Sequence, residues 1–166
     1  MKTAVVKTYF EEALFELLQN KRIENITINE LCKKAGVCRS SFYRNYLVMN
    51  DIVDIYLKRI FTDMKPDKID EMKIEMEEMF TNLLKEKKRL IILSKRGLLG
   101  NLFQYIYDET LSEIINLEVL NNYYQPYFFA GASSAVISAW IEKGMEESPK
   151  QMSELFIKSL KGYMEV

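Results

Sequence analysis

The chain has 166 residues, 48% hydrophobic and 28% charged, which places it among water-soluble globular proteins long enough to bury a sizeable core. Its formal net charge is −1. It contains no histidine, and its two cysteines are Cys32 and Cys38, so a Cys-His nucleophile pair is excluded and a zinc site would lack ligands.

The elements in chain order read as helices, and strand-like alternation bounded by hairpin turns is absent. Residues 1–50 carry eight Lys/Arg against five Glu, and the remainder carries 15 Lys/Arg against 19 Asp/Glu. A basic amino-terminal third on an acidic body suits a polyanion-binding head on a carrier. The amino terminus has no secretory h-region. From Thr3 to Asn20, Val6, Phe10, Ala13, Leu14, Leu17 and Leu18 fall on one helical face. Thr27 and Glu30 have the T-x-x-E form of a capping box, so a helix should begin at Ile28 and run to Ala35, where Gly36 ends it. A second short helix should span Arg39 to Asn45. Asn50 should cap a longer one carrying Ile52, Val53, Tyr56, Leu57 and Ile60.

Pro66 breaks the pattern, and two domains are expected, 1–49 and 50–166. A helix from Asp67 with Ile69, Met72, Met76, Met79, Phe80 and Leu83 should reach the basic run KEKKR (85–89). Gly97 and Gly100 interrupt the following apolar segment. The next helix carries Phe103, Ile106, Tyr107, Leu111, Ile114 and Ile115. A long helix should then run from Tyr123 to Lys143 with Pro126 in its first turn. Ser148, Pro149 and Gln151 announce the last helix, with Met152, Leu155, Phe156, Leu160 and Tyr163. The longest apolar runs, LIIL (90–93) and AVISAWI (135–141), are far too short to cross a bilayer. The expectation is a cytoplasmic, all-α protein without membrane contact, metal or cofactor.

The segment ELCKKAGVCRSSFYRNY (30–46) carries the function. Two short helices joined at Gly36 and preceded by a longer one form a helix-turn-helix, whose second helix enters the DNA major groove. That helix needs an apolar inner face, supplied by Phe42 and Tyr46 with Val37 in the turn. Its outer face needs donors, supplied by Arg39, Ser40, Ser41, Tyr43 and Asn45. A merely solvated face would favour Glu and Lys, yet no acidic residue falls between Glu30 and Asp51.

The motif A-G-V-x-x-x-[ST]-[FL]-Y-x-x-[FY], here Ala35 to Tyr46, resembles the TetR family of transcriptional regulators, and the likeness extends from Lys7 to Asp54. The stretch YFFAGASSAVISAWIEKGMEESPKQM resembles the last-but-one helix and the following turn of a subgroup of the same family. The resemblance implies an all-helical homodimer that represses or, less often, activates a promoter by binding a palindromic double-stranded DNA operator. It also implies a small-molecule effector in the carboxy-terminal domain that changes the spacing of the two recognition helices. Carried over by position, Arg39, Ser40 and Asn45 would meet base edges, while Thr27, Ser41 and Tyr43 would meet phosphates. Arg44 would add charge to the same surface. Leu47 and Met49 depart from the lysines common in the family, and Cys38 replaces a better-capping Ser or Thr.

Phe103, Tyr107, Tyr127, Phe128 and Trp140 are the expected lining of an effector pocket, since aromatic side chains with polar tips suit adaptable apolar sites. Gly131, Ala135 and Ser138, with Leu155 on the last helix, are the expected dimer contacts. The alternative function is an adaptor of the same fold that acts through a protein partner with weak DNA binding. An enzyme is disfavoured, because no phosphate-cradling glycine loop or convincing carboxylate pair is present.

Overall fold

The computed structural model describes residues 3–62, 72–114 and 123–164, which form only helices and their connections. Helix α1 spans Thr3–Leu18, followed by a short 3-10 turn at Ile23–Asn25, α2 at Ile28–Ala35, α3 at Arg39–Asn45 and α4 at Asn50–Thr62. The body comprises α5 (Met72–Lys85), α6 (Lys87–Lys95), α7 (Leu102–Ile114), α8 (Gln125–Glu142) and α9 (Pro149–Met164). Among the described residues no helix is long and apolar enough to cross a membrane.

Local sequence explains the head. The Thr27 hydroxyl accepts the Glu30 N–H at 3.1 Å, and the Gly36 backbone at φ +65° closes α2. The Glu30 carboxylate also takes Lys21 Nζ at 2.6 Å. Phe10 of α1 is fully buried and meets both Phe42 and Tyr46 edge-on at 5.8 and 5.9 Å. Those two rings are the inner face expected of α3. Asn50 is the first helical residue rather than an outside cap. Asp51 ties the preceding turn to the helix start, its Oδ2 accepting the N–H groups of Leu47 at 2.6 Å and Val48 at 3.0 Å.

Helix α1 is buried on a second side that the one-face reading did not include. Phe15 packs on Tyr56 of α4 at 4.8 Å, and Glu11 is only 8% exposed. In the body, Phe80 of α5 is fully buried between Trp140 of α8 at 5.4 Å and Phe156 of α9 at 5.2 Å. Met152 is buried in the same core, so much of the apolar face of α9 is consumed within one chain. Pro126 occupies the first turn of α8 as expected. The Ser148–Gln151 box forms in both directions, with Gln151 Oε1 accepting the Ser148 N–H at 2.8 Å and Ser148 Oγ accepting the Gln151 N–H at 3.3 Å. Ile69 and Ile115 lie outside the described residues, as do the side chains of Met72, Leu111, Ile114, Leu160 and Tyr163.

Candidate nucleic-acid interface

The outer surface of α3 is built from side chains that brace one another along the helix. Arg39 Nη2 donates to the Tyr43 hydroxyl at 3.1 Å, with the guanidinium 5.5 Å from the Tyr43 ring centre. These residues are one turn apart, the spacing at which helical neighbours meet. Tyr43 is itself steadied edge-on against buried Phe42 at 5.4 Å. Arg44 folds back, donating from Nε to the Ser40 carbonyl at 3.3 Å and from Nη2 to Ser41 Oγ at 3.0 Å. Asn45 Nδ2 donates to the Ser41 carbonyl at 2.7 Å, which leaves its amide oxygen and second N–H.

Thr27, Arg39, Ser40, Tyr43 and Arg44 are exposed and Asn45 is half-buried. Thr27 uses its lone pair on the α2 backbone, so its O–H remains a donor for a phosphate oxygen. Ser41 departs from the expected outer face. It is 8% exposed, and its hydroxyl is engaged by Arg44 and by Cys38 Sγ at 3.2 Å. It therefore holds Arg44 in place from inside.

Cys38 occupies the position before α3 and makes no side-chain cap to the helix backbone. Its thiol is exposed and lies 3.2 Å from the hydroxyls of both Ser40 and Ser41. Those hydroxyls, Ser40 first and then Ser41, stabilise the thiolate and bring its pKa down to about 7, with a smaller contribution from Arg44. Cys32 behaves oppositely: burial raises its thiol pKa.

Leu47 is 85% exposed at the tip after α3, while Met49 is half-buried and packs on the core. Of the two positions where the family carries lysine, only Leu47 thus points its side chain into solvent.

The residues expected to line an effector pocket divide. Phe103 and Tyr107 stack at 5.8 Å, and Tyr107 meets Tyr127 at 4.7 Å, across α7 and α8. Phe103, Tyr127 and Phe128 are exposed, so this group is an open aromatic ladder. Trp140 is not part of it. Thirteen positions further along α8, about 20 Å by helical rise, it is buried against Phe80 and donates Nε1–H to the Glu147 carbonyl at 3.2 Å. A cavity of about 540 Å³ lies elsewhere, lined by Glu16, Leu17, Gln19, Asn20, Lys21 and Lys34 at the end of α1.

The expected dimer residues also divide. A Cβ added at Gly131 would lie 3.9 Å from Phe103 of the same chain, an ordinary van der Waals distance, so the α7–α8 packing does not itself require glycine there. Ser138 is half-buried. Ala135 is exposed, as are Ala132 and Ala139, three or four positions away along the same side of α8. Leu155 of α9 is half exposed. These positions form an apolar surface without a charged side chain until Glu142.

Helix α1 also meets α4 and α6 at a polar junction that helical periodicity did not reveal. Glu11 Oε1 accepts from Arg59 Nη2 of α4 at 3.0 Å and from Arg89 Nη1 of α6 at 2.7 Å. The available signal was Glu11 standing one turn before Phe15, at the edge of the expected face beside Leu14 and Leu18.

A family model described as "Transcriptional regulator C-terminal region", of the TetR type, matches residues 68–162. The fold is similar to that of NalD, the secondary repressor of the MexAB-OprM multidrug efflux pump in Pseudomonas aeruginosa, with a TM-score of 0.57, 14% identity and 95% coverage of each chain. It is similar also to AlkX, a TetR family repressor from a Dietzia strain implicated in biodegradation of n-alkanes, with a TM-score of 0.55, 15% identity, and coverage of 96% of this chain and 95% of that one. No curated protein matches the sequence significantly. The matched body and the fold shared along nearly the whole chain identify this protein as a member of the TetR family of transcriptional regulators.

Proposed function

We propose that the protein is a homodimeric, sequence-specific DNA-binding repressor that a small-molecule effector releases from a palindromic operator. The observation that carries this reading is the outer side of α3: Arg39, Ser40, Tyr43 and Arg44 are exposed together, and no carboxylate lies between Glu30 and Asp51. Arg39 is the residue for a guanine, whose O6 and N7 suit a bidentate fork. Tyr43 and Thr27 supply neutral donors for phosphates, which fix register without reading sequence. Ser40 and Asn45 face the groove beside Arg39, and Ser41 acts through Arg44.

The head, residues 1–49, reads DNA, and the body, residues 50–166, joins two copies. The exposed apolar side of α8 with Leu155 supports a two-fold interface in which α8 and α9 meet their symmetry mates. Two-fold symmetry would set the recognition helices about 34–36 Å apart or at a related spacing. The aromatic ladder of Phe103, Tyr107 and Tyr127, adjoining Phe128, is the proposed effector surface. Leu47 and Met49 favour a second reading, an adaptor with weak DNA affinity, because neither brings a charge to a phosphate. Selection of bound sequences from a random duplex pool separates the two. The repressor yields a palindromic consensus, and the adaptor yields none.

A further inference from the structure

Helix α6 grips α1 at two points. At the first, Arg89 donates to Glu11 at 2.7 Å. At the second, Arg96 donates from Nε to the Leu18 carbonyl at 2.7 Å and from Nη2 to the Gln19 carbonyl at 2.8 Å. Glu11 and Leu18 are two turns apart on α1, and Arg89 and Arg96 are two turns apart on α6, about 10.5 Å in each case. The two helices therefore run in the same direction here, and the grips fall in register. Sliding or rotating α6 against α1 must strain both together.

Each grip is built to hold. Arg89 lies over the rings of Phe15 at 5.0 Å and Tyr56 at 5.6 Å, and Glu86 stands 3.7 Å away. Glu86 is in turn fixed by the Tyr56 hydroxyl at 2.8 Å. Glu11 is buried and shares one oxygen between Arg89 and Arg59, so either arginine constrains the other. Arg96 fills a different need. The last carbonyls of a helix have no partner within it, and a planar guanidinium can take two of them at once. Its charge also complements the negative end of the α1 dipole. Arg96 is set in position by the end of α6, where Gly97 at φ +70° turns the chain and the Leu98 N–H returns to the Leu93 carbonyl at 2.9 Å.

We infer that Arg89 and Arg96 are positioning residues that fix the angle of the DNA-reading head on the body. Helices α2 and α3 pack on α1, through contacts such as Phe10 with Phe42, and are carried with it. The consequence at the operator rests on the function proposed above, but the mechanical claim is tested without DNA. Spin labels are placed on native Cys38, which is exposed, and on Lys150→Cys, exposed at the start of α9, with Cys32 replaced by Ala. Labelled protein is diluted with unlabelled protein so that only distances within one chain are read by pulsed electron resonance.

The expected result is one narrow distance peak in the parent and loss of that single peak in the Arg89→Ala/Arg96→Ala double variant. Arg96→Lys should also broaden it, because one ammonium cannot reproduce a fork on two carbonyls. Arg39→Ala should leave the peak narrow while weakening DNA binding, which tests the DNA reading separately. If the double variant loses its helical circular dichroism, Arg96→Lys carries the test alone. An unbroadened peak in folded Arg96→Lys and in the folded double variant overturns the inference.

Discussion

The head and the body expose opposite kinds of surface. In the head, Phe10, Phe42 and Tyr46 are buried, and α3 shows solvent Arg39, Ser40, Tyr43 and Arg44, with Arg39 and Arg44 braced against their own helix. In the body, α8 shows solvent a run of alanines, and Tyr127, Phe128 and Leu155 are exposed beside or near it. A braced polar surface loses little side-chain entropy when it meets a charged partner, and an apolar one gains by being removed from water. On the proposed function, the same chain meets two different partners, a polyanion through α3 and an apolar helix face through α8.

The largest expected effect separates the two regions by stability. Phe10→Ala removes the ring on which Phe42 and Tyr46 rest, and truncating such a buried Phe costs about 3–5 kcal/mol. The chain has one tryptophan, Trp140, buried in the body, so its fluorescence reports that region. In thermal melts of Phe10→Ala, ellipticity should begin to fall at a lower temperature than the Trp140 signal. Coincident transitions would show that head and body unfold as one, and the comparison would fail.

Next in size is the loss of the twin. Ala135→Glu places a charge in the middle of the exposed side of α8 while touching none of the buried core. The expected outcome is a folded monomer by sedimentation, with operator affinity lost in parallel. A dimer that survives the charge would move the interface elsewhere.

A smaller effect should come from Leu47→Lys. Its side chain is exposed beside the recognition helix, so a lysine there should steepen the log–log salt dependence of DNA binding by about 0.9 per subunit if it reaches one phosphate. Met49→Lys should instead destabilise the fold, because Met49 packs on the core. The reverse ranking, read from salt titrations and melts, would contradict the placement of these two side chains.

The smallest concerns Cys38. Because the Ser40 and Ser41 hydroxyls favour its thiolate, with a pKa near 7, alkylation should accelerate as pH rises through about 7. Cys32, buried and shifted upward, should stay unreactive over that range. Bound operator should protect Cys38 if the start of α3 faces DNA. Mass spectrometry of alkylated peptides at several pH values reads all three outcomes.

What the sequence made legible follows the range of the interactions involved. The bounds of α2 and α3 are written in Thr27, Gly36 and the spacing of Phe42 and Tyr46, all local signals that the backbone obeys. The start of α9 is equally local, in Ser148 and Gln151. Tertiary packing was less readable. Phe15 and Glu11 lie off the expected face of α1 because that helix is covered from two sides, by α2 and α3 and by α4 and α6. Trp140 shares the composition of the aromatic ladder but not its position, since distance along a helix separates residues that composition groups together. Gly131, expected to meet another chain, lies beside Phe103 of its own chain, at a distance where a Cβ would make only an ordinary contact. Small residues announce close approach without naming the partner.

The central claim is that the outer side of α3 reads DNA, with Arg39 at a base and Tyr43 at the backbone. Fluorescence anisotropy on the selected duplex and on duplexes mutated at single base pairs tests it most directly. Arg39→Ala should weaken binding and relax preference at one base pair per half-site, a loss of roughly 1–3 kcal/mol of discrimination there. Tyr43→Ala should weaken binding to every duplex about equally and leave the preferences intact. Parent affinity and parent preferences in both folded variants would contradict the account.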